Sequence, residues 1–523
     1  MSDAEVASKP ARRRGRDARM AARAAPLTEE LRPIRAGMAG GTYKPLSPSG
    51  VERIHHAALD ALEEIGLAQA IPSCVEVCTA AGAIYGDDGR LRFPRAMVED
   101  MLVKAWRHQP LFAQDPKYDL LPMGAQVYYG TAGAATQIVD LETNSYRDAT
   151  IADLYDAARI AETLDNCHFF QRPLTACDIT DLVPLDVSTL YASIAGTTKH
   201  VGTNFNVAEG AVASFPLLHR IAGSEEAWRA RPFVSNTNCF VVPPMKFAED
   251  ACRVLEVCVR GGMPVLLLSA GQAGATAPPY LAGAVVQAVA ECLAGLCYVN
   301  AIKPGAPAIF GTWPFVSDLR TGAMSGGSGE QGLLAAACAQ MAQFYDLPGG
   351  AAAGMCDAKL PDNQAGYEKG INAVISGLAG LNMIYESIGM HASLLGFCLE
   401  SMIIDDDMIG QALRCVRGIE VTEDSVSLEV IRQVCTQGPG HYLGHESTLA
   451  LMQREYVYPV LGDRTSPKEW VEKGKPDLVA KAIERRKEIL GNVFPSHISA
   501  ALDGALRADF PIVLDRKAMQ AAS

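Results

Sequence analysis

The chain has 523 residues, 49% of them hydrophobic and 20% charged, with a formal charge of −13 from 59 acidic and 46 basic residues. That composition excludes a disordered or fibrous protein and demands a large buried core. It also excludes a general nucleic-acid binder, which needs a basic face to neutralise phosphate, while leaving room for cationic or zwitterionic small molecules. The 14 cysteines have no C-x-x-C spacing and no regular framework, so they read as reduced, packed side chains of a cytoplasmic protein.

In chain order, residues 1–40 form a basic arm: Lys9, Arg12, Arg13, Arg14, Arg16, Arg19 and Arg23 stand against Asp3, Glu5 and Asp17 among alanines. No apolar run follows, so a secretory signal is excluded. Residues 41–150 read as an N-terminal cap of helical and β elements. A helix starts after Ser47 and Ser49, with Val51, Ile54, Ala58, Leu62 and Ile65 on one apolar face and Gly66 closing it. The stretch QVYYGTAGAATQIVD resembles a hairpin. From residue 167 the pattern turns regular, with apolar or β-branched runs opening near 167, 199, 232, 264, 307, 350 and 383. Helical stretches at 247–261, 279–298, 328–345 and 363–381 alternate with them. Seven strands with room for an eighth predict an α/β fold, a (β/α)8 TIM-type barrel over residues 151–500, followed by a C-terminal tail at 501–523. The apolar stretch from Tyr280 to Ile302 contains Gln287 and Glu291, and is expected as a buried helix of that fold rather than a membrane span. No Gly-x-Gly-x-x-Gly follows the first strand, and no phosphate-binding G-x-x-x-x-G-K-[ST] is present.

In such a barrel the active site forms at the C-terminal ends of the strands. Gln171, Arg172, Asn204, Asn206, Asn236, Asn238, Ser269, Gln272, Thr312, Trp313, Phe315, Asp357, Tyr385 and Glu386 all fall at or just past those ends. Glycine concentrates in GAMSGGSGEQG, where Glu330 and Gln331 open a helix whose start suits either an anion or a cap. The segment MCDAKLPDNQAGYEKG, residues 355–370, places several polar groups directly after a strand of small residues. His441 and His445 have the spacing of two ligands on one helix face, but the acid of H-E-x-x-H and a third ligand are missing.

GTWPFVSDLRTGAMSGGSGEQ (311–331), AQFYDLPGG (342–350), DAKLPDNQAGYEKG (357–370) and LMQREYVYP…DR (451–464) together resemble the trimethylamine methyltransferase family over roughly residues 40–495. The resemblance implies a barrel enzyme that moves a methyl group from a methylated amine to the cobalt of a separate corrinoid (cobalamin) protein. Family members acting on trimethylamine carry pyrrolysine just before the Asp-Ala-Lys segment. Here that position looks like Met355, which points to the branch without pyrrolysine and to a quaternary amine such as glycine betaine.

On this reading Trp313, Phe315, Tyr367 and Tyr385 are candidates for an aromatic cage around a permanent cation. Glu330, Asp357 and Glu386 are the candidate catalytic carboxylates, supplying negative potential. Met355 lines the site, and Gln364, His391 and His441 are donors for a substrate carboxylate. No metal ligand set is assigned. The corrinoid arrives on its partner, since the D-x-H-x-x-G pattern of the carriers is absent, and a homo-oligomer is expected. The alternatives are a non-catalytic quaternary-amine binding protein and a metal-dependent barrel lyase using His441 and His445.

Overall fold

The structure is a computed structural model that describes residues 28–438 and 440–521. Most of the expected basic arm, residues 1–27, lies outside the described residues. The chain divides into two compact units, one of residues 1–35 and 418–458, the other of residues 36–417 and 459–523. Within the first, described elements include helices Leu428–Thr436 and Glu446–Leu451.

The second unit is mixed α/β. Its parallel strands are β1 (Gln126–Tyr129), β2 (Phe169–Gln171), β3 (His200–Thr203), β4 (Val234–Asn238), β5 (Val265–Ser269), β6 (Ala308–Thr312), β7 (Gly350–Ala352) and β8 (Met383–Tyr385). They lie in two sheets rather than one. The first runs β6-β5-β4-β3-β2, and the second contains β1, β8 and β7 with Met38–Ala39 antiparallel on β1. Single parallel bridges join the sheets at Gly130 with Phe169 and at Phe310 with Gly349. The seven strands legible from residue 167 coincide with β2 to β8. The eighth precedes them: Gln126–Tyr129 is no hairpin arm but pairs parallel with β8. The hairpin nearby is Gln137–Asp140 with Ser145–Asp148.

The strands alternate with α1 (Ile151–Thr163), α2 (Leu182–Gly196), α3 (Ala208–Ala222), α4 (Glu249–Arg260), α5 (Leu281–Ile302), α6 (Gly329–Phe344), α7 (Asn363–Ala379) and α8 (Leu399–Arg417). Among described residues α5 alone is long and apolar enough to cross a membrane, yet 78% of its apolar window is buried within the protein. It is covered by the cap helices Pro48–Asp60, Pro72–Ala80 and Arg95–Lys104. Its Glu291 accepts from the Met245 amide (2.8 Å), Gln287 Nε2 (3.1 Å) and Ser269 Oγ (2.5 Å), so the buried carboxylate is satisfied.

The cap helix Pro48–Asp60 starts as expected, with Ser47 Oγ accepting from the Gly50 amide. It buries Val51, Ile54 and Ala58. A π turn over Ala61–Ile65 then rotates the last side chain away, leaving Ile65 51% exposed instead of on the apolar face. Residues expected as a tail contain the helix Ala500–Asp509, whose Asp503 accepts from the Tyr191 hydroxyl of α2 and pairs with Arg507 and Arg516 at 2.7 Å each.

Candidate active site

Parallel pairing fixes which side chains share a face. Phe169 aligns with His200, Gln171 with Gly202, Gly202 with Ser235, and Thr237 with Leu266. Leu266 aligns with Ile309, Leu268 with Gly311, and Ala352 with Tyr385. Small residues on this face make room for large ones. A Cβ on Gly350 would meet the Tyr385 ring at 2.9 Å, and one on Gly130 the Phe169 ring at 2.5 Å.

Trp313 continues the β6 ladder, its amide donating to Ser269 O at 2.9 Å. Its ring lies 5.2 Å from that of Tyr385, which in turn lies 4.9 Å from Phe169. Phe315 stands nearly perpendicular to Trp313, centroids 6.5 Å apart. All four are buried. Aromatic rings set at tilted and edge-on angles, with Trp313 and Tyr385 at the C-terminal ends of β6 and β8, offer negative ring quadrupoles to a cation.

Glu386 follows directly. The strand alternation ends there because the residue takes a left-handed backbone, φ +61°. Its side chain is 2% exposed and Oε2 has no hydrogen-bond partner. Burial alone pushes its carboxyl from the ordinary value near 4.5 up to about 8. A left-handed, buried, unpartnered carboxylate is costly, which makes Glu386 a candidate for ligand contact. Further unpartnered polar atoms cluster at the same strand ends: Trp313 Nε1, Thr203 Oγ1, Thr237 Oγ1 and Gln331 Oε1.

The sequence marks Glu330 and Gln331 together at the α6 start, but takes only Glu330 as a candidate site residue. Glu330 points into solvent on the first turn of α6, so it contributes no buried negative charge. Gln331 is the buried one, donating from Nε2 to Pro314 O (3.2 Å) and Ala352 O (3.3 Å). The signal was present: Gln331, Leu334, Ala335 and Cys338 have the spacing of one helical face. The α6 start is capped by Ser328, whose Oγ accepts from the Gln331 amide. The glycines before it serve close packing. A Cβ on Gly326 would fall 2.2 Å from Met355 Sδ, and one on Gly327 2.5 Å from Glu368.

The segment after β7 is built as a clamp. Asp357 Oδ1 accepts from the Gly326 amide at 2.8 Å and from Ser393 Oγ, and Oδ2 accepts from Ser325 Oγ at 3.1 Å. Glu368 Oε2 accepts from the Asp357 amide and Oε1 from Gln364 Nε2, both at 2.7 Å. Asp357 and Gln364 are thus spent on the loop itself. Met355 is fully buried beneath it, and Tyr367 is 58% exposed, outside the aromatic cluster.

His391 is buried and held neutral, its pKa pulled well down by burial and by Lys369. Nε2 bonds Ser401 Oγ at 2.7 Å and Nδ1 faces Cys356 Sγ at 3.3 Å, so neither nitrogen is free for a ligand in this arrangement. It borders a cavity of about 370 Å³ with Lys369, Asp405 and Gln411, none of which is in the aromatic cluster. His441 is exposed in the other unit. His445 caps helix Glu446–Leu451 through Ser447, so the two histidines do not share a helix face. Among described residues no group of three or more His, Cys, Asp or Glu is placed to hold a metal.

Buried aromatic rings and a buried carboxylate without a partner at the ends of parallel strands make this the candidate site for a small molecule. The model of the trimethylamine methyltransferase (MTTB) family matches residues 12–519, and the chain belongs to that family. It is 30% identical over 481 residues to trimethylamine methyltransferase MttB1 of Methanosarcina mazei, covering 89% of this chain and 93% of that protein. It is 29% identical to trimethylamine methyltransferase MttB of Desulfitobacterium hafniense, covering 91% and 95%. To the glycine betaine methyltransferase of Desulfitobacterium hafniense it is 30% identical over 469 residues, covering 89% and 96%. The chain is therefore a methyltransferase of the trimethylamine and glycine betaine type.

Proposed function

We propose that this enzyme demethylates a quaternary amine of the glycine betaine kind and delivers the methyl group to a separate corrinoid protein, in the cytoplasm. Identity alone does not choose between the two named substrates, since both sets of relatives stand near 30%. The observation that carries the choice is Glu386, buried and unpartnered directly after Tyr385, whose ring lies 5.2 Å from that of Trp313. Such a combination recognises a permanent cation, whose charge favours the ionised carboxylate over the protonated one.

The chemistry agrees. A quaternary nitrogen leaves as a neutral tertiary amine, so the site needs no proton donor and no covalent activator. Met355, a thioether without acid or base chemistry, fits that requirement. A reduced corrinoid on the partner supplies the cobalt nucleophile that takes the methyl carbon. The residues of this chain orient one N-methyl group toward the strand ends, exclude water and balance the cation. We further infer that β1 to β8 act as one (β/α)8 barrel with the site at its mouth. Successive strand order in both sheets and the two single bridges between them support this. The 14 cysteines are all free, which fits a reducing compartment.

The test is to mix the protein with a reduced corrinoid protein and a panel of betaines and methylamines, following loss of the cobalt(I) absorbance. Methylation with betaine is expected. Absence of methylation with every methylated amine would overturn the reading.

A further inference from the structure

A second buried charge at the strand ends also lacks an ionic partner, and its sign is opposite to that of Glu386. Arg172, just past β2, is 6% exposed. Its Nη1 donates to Leu174 O (3.0 Å) and Thr175 Oγ1 (2.7 Å) and its Nη2 to Asn204 Oδ1 (3.1 Å), while Nε has no partner. Among described residues no carboxylate forms an ion pair with it. The acid that most influences it, Asp186, is already taken up by the Asn206 and Val207 amides and by Asn206 Nδ2. Arg159 shows how this chain completes a structural buried arginine: Nε and Nη2 donate to Val493 O and Leu490 O, both at 2.7 Å, and Nη1 pairs with Asp156 at 2.8 Å. Arg172 is left incomplete by comparison, and an uncompensated buried guanidinium is expensive unless something else supplies the anion.

Both charges stand one residue past strands that flank β1, Arg172 after β2 and Glu386 after β8. Asn204 Nδ2 donates to Thr237 O at 2.8 Å, so the guanidinium, Asn204 and Thr237 tie together the ends of β2, β3 and β4. Two residues beyond Thr237, on the same alternation, lies Cys239. It presents accessible surface although protein walls it closely. Burial pushes its thiol up to about 11, with Arg172 favouring the thiolate and Glu386 opposing it. Cys239 thus offers an accessible thiol within electrostatic reach of both charges.

Resting on the function proposed above, we propose that the Arg172 guanidinium receives the carboxylate of the methyl donor. The substrate class is then a zwitterionic betaine, its ammonium against Trp313, Tyr385 and Glu386. A carboxylate accepting from a guanidinium makes a charge-assisted bond that a methylamine or a tetraalkylammonium ion cannot make.

Calorimetry on the full chain with glycine betaine and with tetramethylammonium tests this. The wild type is expected to bind glycine betaine at least tenfold more tightly, and Arg172→Gln to reduce that ratio at least tenfold. Equal affinities in the wild type, or a ratio unchanged by Arg172→Gln, would overturn the assignment of Arg172 and leave the cation site standing. Binding of neither compound would instead remove the functional reading on which it rests. Should Arg172→Gln fail to fold, alkylation of Cys239 by N-ethylmaleimide in the wild type, read by peptide mass, decides. Saturating glycine betaine is expected to slow it at least fivefold and more than tetramethylammonium does. No protection by betaine, or equal protection by both, counts against the assignment.

Discussion

The loop after β7 and the residue after β8 both place carboxylates at the ends of parallel strands, and they use them in opposite ways. After β7, Asp357 and Glu368 are filled by backbone amides, serines and Gln364, so their charge is consumed in holding the glycine loop 325–327 and Ser393 in place. After β8, Glu386 has no partner on Oε2 and follows directly on Tyr385. A saturated carboxylate builds scaffold, and an unsaturated one keeps its binding capacity for a ligand. Composition cannot tell them apart, since both follow a strand and both neighbour glycine or aromatic residues.

That contrast can be broken most sharply at Glu386 itself. Glu386→Gln keeps the shape and removes the charge, and is expected to weaken binding of a quaternary cation by about 2 to 3 kcal/mol, roughly 30- to 150-fold. The same substitution should raise thermal stability, and more so at pH 8 than at pH 5. With a folded pKa raised to about 8, the native state holds a proton that the unfolded state has lost, so stability falls as pH climbs from the ordinary carboxyl value toward 8. Cation affinity in the wild type follows the opposite course, improving up to tenfold per pH unit and levelling off above about pH 8. Binding that is flat between pH 6 and 8 would disconnect Glu386 from the cation.

Asp357→Asn attacks the other region. Replacing an acceptor by an amide that faces donors should cost about 1 to 3 kcal/mol of folding stability, visible as a lower denaturation midpoint. An unaltered midpoint would deny the clamp. Trp313→Ala removes one face of the cage and is expected to weaken cation binding by about 1 to 2 kcal/mol, roughly tenfold. Unchanged affinity would take Trp313 out of the site. The smallest effect belongs to Tyr367→Ala: with the ring 58% exposed, affinity should change less than about twofold. A larger loss would return Tyr367 to the cage.

Much of the fold was legible because strand and helix periods are local properties. The apolar runs from residue 167 onward coincide with β2 to β8, and a capping serine marked the start of the first cap helix. What escaped was non-local. Gln126–Tyr129 reads as one arm of a hairpin until its partner, β8, more than 250 residues away, claims it in parallel. The site divided in the same way. Trp313, Phe315, Tyr385 and Glu386 stood out because each closes a recognisable strand. Glu330, Gln364, Tyr367, His391 and His441 were reasonable chemistry in reasonable places, yet each faces solvent or is held by neighbours in the structure.

The sequence by itself determined the alternation of strands and helices, the family and the aromatic residues at the strand ends, because these follow from local pattern and from motifs in order. Only the tertiary structure decided which charges are spent. Whether Asp357, Arg172 or Glu386 finds a partner depends on atoms brought together from distant segments, and a buried group left without one is visible only after every other contact has been made.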